Sequence, residues 1–257
     1  MQNIRIVTFN TWNCQGQLEH RLALMEAGLK DLNADIILLQ EVFAKVPNGL
    51  NLSDCLARSL ELNAAFAPAR KKLRTYNSAP VLCHSGLAVL AKGEIRDHAK
   101  LHLPQDERDG ERLAQFVSVQ THGVSVLIAN THLTHLKDVS NLRQQELQTL
   151  RSHIDECAPH DVVIVGGDMN AAENDPIFDV LDGFDTINPQ SIGTQTTLNA
   201  VNGTVPGAGL IDHIFAASED MTIGLQGQTA LDVRDEATGI YPSDHKAVVL
   251  DITISMS

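Results

Sequence analysis

The sequence predicts an α/β protein whose helices cover strands on both sides, and two patterns carry that expectation. Strand-length apolar runs recur at Ile4–Phe9, Asp35–Leu39, Gly86–Ala91, Phe116–Gln120, Val124–Ala129, Asp161–Val165, Ile211–Ala216 and Ala247–Ile254. Several are near-continuous in Val, Ile and Leu, as expected of strands buried on both faces. Helical stripes lie between them, and such interleaving is the mark of an α/β architecture.

The first helix is read from Leu18, Leu22, Met25, Leu29 and Leu32, which recur at helical spacing and make one apolar stripe. A second amphipathic helix spans Val139–Cys157, with Leu142, Leu147, Leu150 and Ile154 inward. Leu52–Leu62 and Pro176–Leu181 read as shorter helices, and Pro176 suits a first helical turn. Ala67–Ser85 and Asn188–Gly209 read as long loops, which in a compact domain are often functional. With 257 residues and no repeat, low-complexity segment or linker, residues 1–257 are expected to form a single domain.

Hydrophobic residues make up 43% of the chain, enough for a large core, and aromatics only 4%, so that core should be aliphatic. Acidic residues outnumber basic ones 32 to 19, a net charge of −13. Proteins that track many nucleic-acid phosphates usually carry an excess of Lys and Arg, so a long duplex is disfavoured as the substrate. Local basic patches can survive inside an acidic total. Cys14, Cys55, Cys83 and Cys157 have irregular spacings and no C-x-x-C pair, which suggests neither a disulfide framework nor a zinc knuckle. No run reaches membrane-span length. The strand at Ile4 leaves no room for a leader with a basic and then an apolar region. A soluble cytoplasmic protein is the expectation.

The chemistry-bearing motifs sit at the ends of the apolar runs. They are Leu39-Gln40-Glu41, Asn130-Thr131-His132-Leu133, Gly166-Gly167-Asp168-Met169-Asn170, Ile211-Asp212-His213 and Ser243-Asp244-His245. They supply the carboxylates, amide and imidazoles of a metal-assisted phosphate-ester hydrolase. Mg²⁺ prefers hard oxygen ligands and keeps several waters, so one or two carboxylates suffice. Glu41 should emerge at a strand end, Asn10 can add an amide oxygen, and Asp244 is the third metal candidate. Asp168 is placed to orient or deprotonate water while Asn170 holds a phosphoryl oxygen. His245 can donate to the phosphate or act as acid or base, with Asp212 orienting its ring. His132 can stabilise charge on the phosphate or leaving group. Trp12 either walls the pocket or covers the sheet edge.

These motifs, in this order, resemble the endonuclease/exonuclease/phosphatase superfamily, which includes DNase I, AP endonucleases, bacterial sphingomyelinases and inositol-polyphosphate 5-phosphatases. The resemblance spans residues 4 to 254. It implies a four-layered α/β/β/α sandwich of two packed mixed sheets with the site at one edge. It also implies Mg²⁺ at Glu41, with Asn10 and Asp244 near the metal and Mn²⁺ as a substitute ion. Asp168 and Asn170 would handle water and phosphate, and the Asp212–His245 pair the phosphate. His132 matches the branch of DNase I and the sphingomyelinases. Arg112, in Gly110-Glu111-Arg112-Leu113-Ala114, resembles an arginine that many members carry and is assigned to substrate binding. Trp12 stands where AP endonucleases carry an Asp, which weakens a DNA-repair reading.

Simpler readings compete at several positions. Asp after a Gly pair is usually a turn residue. His132 and His135 could suggest zinc, but no cysteine or second histidine pair supports it. His135 reads as a loop or capping residue and His213 as structural. Arg70, Lys71, Lys72 and Arg74 read first as a solvated face and second as a phosphate grip. The expected activity is metal-dependent hydrolysis of a phosphate ester, with a small molecule or lipid head group favoured over nucleic acid and no protein partner evident. The alternatives are a DNA or RNA nuclease and a non-catalytic binding protein that kept the fold.

Overall fold

The structure is a computed structural model that describes residues 2–139, 141–186, 194, 196–201 and 209–256. In chain order the elements are β1 (Gln2–Asn10), α1 (Leu18–Leu32), β2 (Ile36–Lys45), α2 (Leu52–Leu60), β3 (Asn63–Ala67), β4 (Lys71–Tyr76), β5 (Ala79–Ala91), β6 (Glu94–His102), β7 (Leu113–Thr121) and β8 (Val124–His132). There follow α3 (Leu142–Glu156), β9 (Val162–Asp168), a 3₁₀ helix (Pro176–Leu181), β10 (Asp185–Thr186), β11 (Asp212–Ala217), β12 (Met221–Ala230) and β13 (Ala247–Met256). One sheet runs β12-β13-β1-β2-β5-β3, with β4 also paired to β5; the other runs β10-β11-β9-β8-β7-β6.

Side-chain alternation builds the four layers. Ile4, Ile6, Ile36 and Leu38 point between the sheets and meet Val117, Val126, Ile128 and Ile164. Val7, Phe9, Ile37 and Leu39 point the other way, under Leu18, Met25 and Leu29 of α1 and Leu52 and Leu56 of α2. On the far side, Phe116, Leu127 and Ala129 lie under Leu147, Leu150 and Ile154 of α3. This is the expected α/β/β/α sandwich, with an aliphatic core.

The expected strands all form, several of them longer than expected. Those the sequence reading did not place are β3, β4, β6, β10 and β12. Among these, β4 and most of β12 alternate exposed and partly buried residues, β6 is largely exposed, and none of the three carries an apolar run. The segment Ala67–Ser85 is not a loop. Tyr76 pairs with Ala79 across Asn77 and Ser78, both left-handed at φ 49° and 61°, which makes a tight primed turn and a β4–β5 hairpin. Most of the expected loop Asn188–Gly209 lies outside the described residues.

Register brings the motifs to one edge. β1 runs parallel to β2, pairing Asn10 with Gln40, and β8 runs parallel to β9, pairing His132 with Asp168. β11 is antiparallel to β9, so it begins at that edge, with Asp212 opposite Asp168. β13, antiparallel to β1, also begins there, just after His245.

Candidate active site

Local backbone features aim the side chains. Glu41 is left-handed at φ 52°, and the β2–β5 register slips between Leu39 and Val42. This bulge sends Gln40 into the inter-sheet space, where it donates to Thr8 and Asn130, and leaves Glu41 at a cleft. Trp12, Asn13 and Asn170 are left-handed too. Such conformations cost of order 1–3 kcal/mol each and gather at functional sites. Gly166 and Gly167 do not make a sharp turn, as their pairing suggested. They lie inside β9, and a Cβ on Gly167 would stand 1.9 Å from the Thr131 carbonyl oxygen, so the glycine permits close approach of β8.

Asp168 is the centre of the arrangement and is 2% exposed. Its Oδ2 accepts from Asn10 Nδ2 at 3.0 Å and lies 3.3 Å from His132 Nε2 and 3.8 Å from His245 Nε2. Its Oδ1 accepts from the Asn170 backbone N–H at 3.0 Å. On the other side of the ring, His245 Nδ1 lies 2.8 Å from Asp212 Oδ2, the expected carboxylate–imidazole pair. Asp212 Oδ1 is buried without a partner among the described residues.

The charges are strongly coupled. Burial, then repulsion from Asp212, pushes Asp168 above the ordinary carboxylate range, with His245 and Asn10 pulling the other way. Burial works against a charged His245, but Asp212, Asp168 and Asp244 outweigh it and raise the pKa above the usual histidine value. His132 goes in the opposite direction. Burial first, then Arg112, His245 and His135, drive it well below its ordinary value. His132 is therefore neutral at pH 7 and can meet a phosphate as a hydrogen-bonding group but not as a cation.

A cleft of about 410 Å³ opens beside this cluster. It is lined by Trp12, Glu41, Arg112, His132, Asp168, Asn170, Asp244 and His245 among others, so the sequence-derived candidates converge on it except Asn10 and Asp212. Those two stand behind it. The Asn10 side chain is taken up by Asp168 and by the Trp12 backbone N–H, which donates to its Oδ1 at 3.0 Å. Burial pushes Asp244 up to about 6, and Glu41 adds to the rise. Asn13 Nδ2 donates to Glu41 Oε2. Glu41 and Asp244 line one cleft, and a divalent cation there would relieve the cost of ionising Asp244, so the hard-oxygen residues fit one. Asp168, Asp212 and His245 also offer ligand atoms within 4.8 Å of one another. That trio also has the geometry of an acid–base cluster, with His245 Nδ1 taken up by Asp212 at 2.8 Å.

Arg112 is largely committed elsewhere. Its Nε and Nη2 grip both oxygens of fully buried Asp109 at 3.0 and 2.7 Å, and Nη1 donates to the His132 carbonyl at 3.2 Å. It fixes the His132 backbone and leaves little of the guanidinium for a ligand. His213 is structural, as expected: it bonds the Ala171 carbonyl at 2.9 Å and lies edge-on to Phe178.

Several positioning residues had no sequence signal. Arg21 falls on the apolar stripe of α1 yet is 1% exposed. It donates to the carbonyls of Thr11, Asn13, Gln15 and Pro242, tying the β1–α1 turn to the segment that precedes Asp244. Asn199 donates to the carbonyls of Ser243 and His245, and its own N–H donates to the Asp244 carbonyl at 2.7 Å. Arg70, Lys72 and Arg74 also line the cleft, where the sequence favoured a solvated face.

Solved structures with the same fold include an endonuclease/exonuclease/phosphatase from Beutenbergia cavernae DSM 12333. It matches at a TM-score of 0.74 and 18% identity, over 99% of this chain and 72% of that one. Truncated Caenorhabditis elegans TDP2 matches at 0.68 and 17%, over 97% of each chain. The human Nocturnin catalytic domain, solved with a bound sulfate anion, matches at 0.70 and 18%, over 98% of this chain and 94% of that one. At these identities the likeness establishes the fold. No curated protein matches the sequence. The profile of the Endonuclease/Exonuclease/phosphatase family matches residues 10–245, and with its motifs gathered at one sheet edge the chain belongs to that family.

Proposed function

We propose that this chain is a Mg²⁺-dependent hydrolase of phosphate esters, acting as a single catalytic domain over residues 1–257, with Mn²⁺ as a substitute ion. The observation that carries the reading is one cleft lined by Asp168, His245, Asn170, Glu41 and Asp244, with Asp212 behind the histidine. Glu41 and Asp244 would hold the cation, with Asn10 fixing the neighbouring Asp168. When bound, the ion polarises a phosphoryl oxygen and shields charge on the leaving oxygen.

Asp168 is the base. Its upward shift brings its pKa toward neutrality, where a general base is most effective. It takes the proton of a water that attacks phosphorus as the bond to the leaving oxygen breaks. His245, kept protonated by Asp212, donates hydrogen bonds to the phosphoryl oxygens, while neutral His132 and the Asn170 amide complete the cradle. Trp12 forms part of the cleft wall. The net charge of −13 favours a small molecule or lipid head group, and a cytoplasmic setting fits the unpaired cysteines. The alternative is a nuclease, for which Arg70, Lys72 and Arg74 in the cleft wall would offer a short phosphate contact. The complete acid–base set speaks against a non-catalytic protein that merely kept the fold.

The test is a hydrolysis panel at neutral pH with Mg²⁺ or EDTA. It holds an aryl phosphodiester, a sphingomyelin/phosphatidylcholine mixture, an inositol polyphosphate, single-stranded RNA and plasmid DNA. We expect Mg²⁺-dependent turnover, strongest outside the two polynucleotides. Folded protein that turns over none of them overturns the hydrolase reading.

A further inference from the structure

Arg70, Lys72 and Arg74 line the cleft that also holds Asp168, Asp244 and His245. Strand alternation puts them there. Along β4 the exposed residues are Lys71, Leu73 and Thr75, and the partly buried ones are Lys72, Arg74 and Tyr76. Lys72 and Arg74 thus share one face of the hairpin, and Arg70, just before β4, extends the row.

Among the described residues no carboxylate accepts a hydrogen bond from these cations, although Asp109 and Glu41 act on Arg70 and Lys72 at longer range. Arg70 lies 3.6 Å from Asp109, but that carboxylate is already gripped by Arg112 at 2.7 Å and approached by His135 at 3.1 Å. Arg74 Nε is buried with no hydrogen-bond partner among the described residues. Burial depresses the Lys72 pKa, and Arg70 and Arg74 lower it further, as expected of like charges held together. A row of cations with an unpaired buried donor, in a protein of net charge −13, is costly unless an anion completes it. Because the row and the acid–base cluster share one cleft, the same ligand can meet both.

We propose that Arg70, Lys72 and Arg74 form a second phosphate subsite, so that the substrate is a small molecule with a further phosphoryl group beside the one that is cut. This rests on the hydrolase reading of the cleft. A long nucleic-acid strand is the poorer fit, because the cationic surface described is one hairpin face and not an extended track.

Two chromogenic diesters test it: the p-nitrophenyl ester of thymidine 5′-phosphate, with and without a 3′-phosphate. The wild-type enzyme is expected to prefer the 3′-phosphorylated ester at least tenfold in kcat/KM, mostly through KM. In Lys72→Ala and Arg74→Ala that preference should fall toward one. Leu73→Thr, on the 70% exposed side chain of the same strand, should keep it and report that the hairpin is intact. A wild-type ratio near one, or a preference that survives both substitutions, overturns the subsite. A preference seen only with a single-stranded oligonucleotide overturns the small-molecule assignment. If neither ester turns over, the wider hydrolysis panel decides the hydrolase reading, and calorimetry with inorganic tripolyphosphate decides the subsite separately. Binding lost in Arg74→Ala supports it, and equal binding by both proteins overturns it.

Discussion

Asp168→Asn is expected to lower kcat on an aryl phosphodiester by between about 10²- and 10⁴-fold, the range that a positioned acid–base group supplies. Thermal stability should hold or rise at pH 8. Asp168 is almost fully buried and faces a second buried carboxylate, Asp212, so its charge strains the fold. An amide removes that repulsion and retains an oxygen for the Asn170 N–H, which offsets the loss of the acceptor that Asn10 Nδ2 uses. Activity lost with stability kept is the signature of a group retained for chemistry. Steady-state rates and a thermal melt on the same preparation check it. A near-normal kcat would show that Asp168 is not the base.

The second large effect lies behind the site. Glu146 of α3 is fully buried; its Oε2 accepts from the Thr134 N–H at 2.9 Å, and its Oε1 has no partner among the described residues. Burial pushes its pKa up to about 7 from 4.5, against Arg112 and the Thr134 N–H. The folded state therefore holds a proton that the unfolded state has released. The contribution is fully present below about pH 4.5 and is lost as pH rises through about 7. At up to about 1.4 kcal/mol per pH unit, that is on the order of 3 kcal/mol across the window. Glu146→Gln removes the titration. Denaturant unfolding of the two proteins from pH 4 to 8 should give curves that diverge as pH rises, with the variant more stable at pH 8. A constant difference across that range would contradict a raised Glu146.

Much of this was legible in the sequence because it depended on local pattern. The near-continuous runs of β1, β2, β8 and β9 announce strands covered on both faces, and the motif residues at their ends share an edge once parallel pairing is assumed. What stayed hidden depended on backbone conformation or on partners distant in sequence. Glu41 is legible as a metal candidate at a strand end, but the bulge and left-handed φ of 52° that leave it at the cleft are not. Arg21 is a charged residue on the apolar stripe of α1, and the partners that satisfy it there are backbone carbonyls as remote as Pro242. Arg112 looks like a ligand residue because its near neighbour Asp109 reads as a surface acid, whereas the fold buries it completely under the guanidinium. The basic cluster reads as a loop because Asn77-Ser78 lacks the glycine that usually announces a primed hairpin turn. Once β4 forms, alternation aims two of its cations inward. Net charge gives no warning of this, since −13 is a property of the whole chain and three cations still gather in one part of the cleft wall.

The central claim is that Glu41 and Asp244 seat a divalent cation on which hydrolysis depends. The most direct test is a Mg²⁺ titration of aryl-diester hydrolysis by wild-type and Glu41→Gln protein, each starting from EDTA-treated enzyme. The account predicts no turnover without metal. It also predicts that Glu41→Gln needs at least about ten- to a hundredfold more Mg²⁺ for half-maximal rate, since even residues behind a ligand shift metal affinity that far. Turnover that survives EDTA, or identical Mg²⁺ curves for the two proteins, would contradict it.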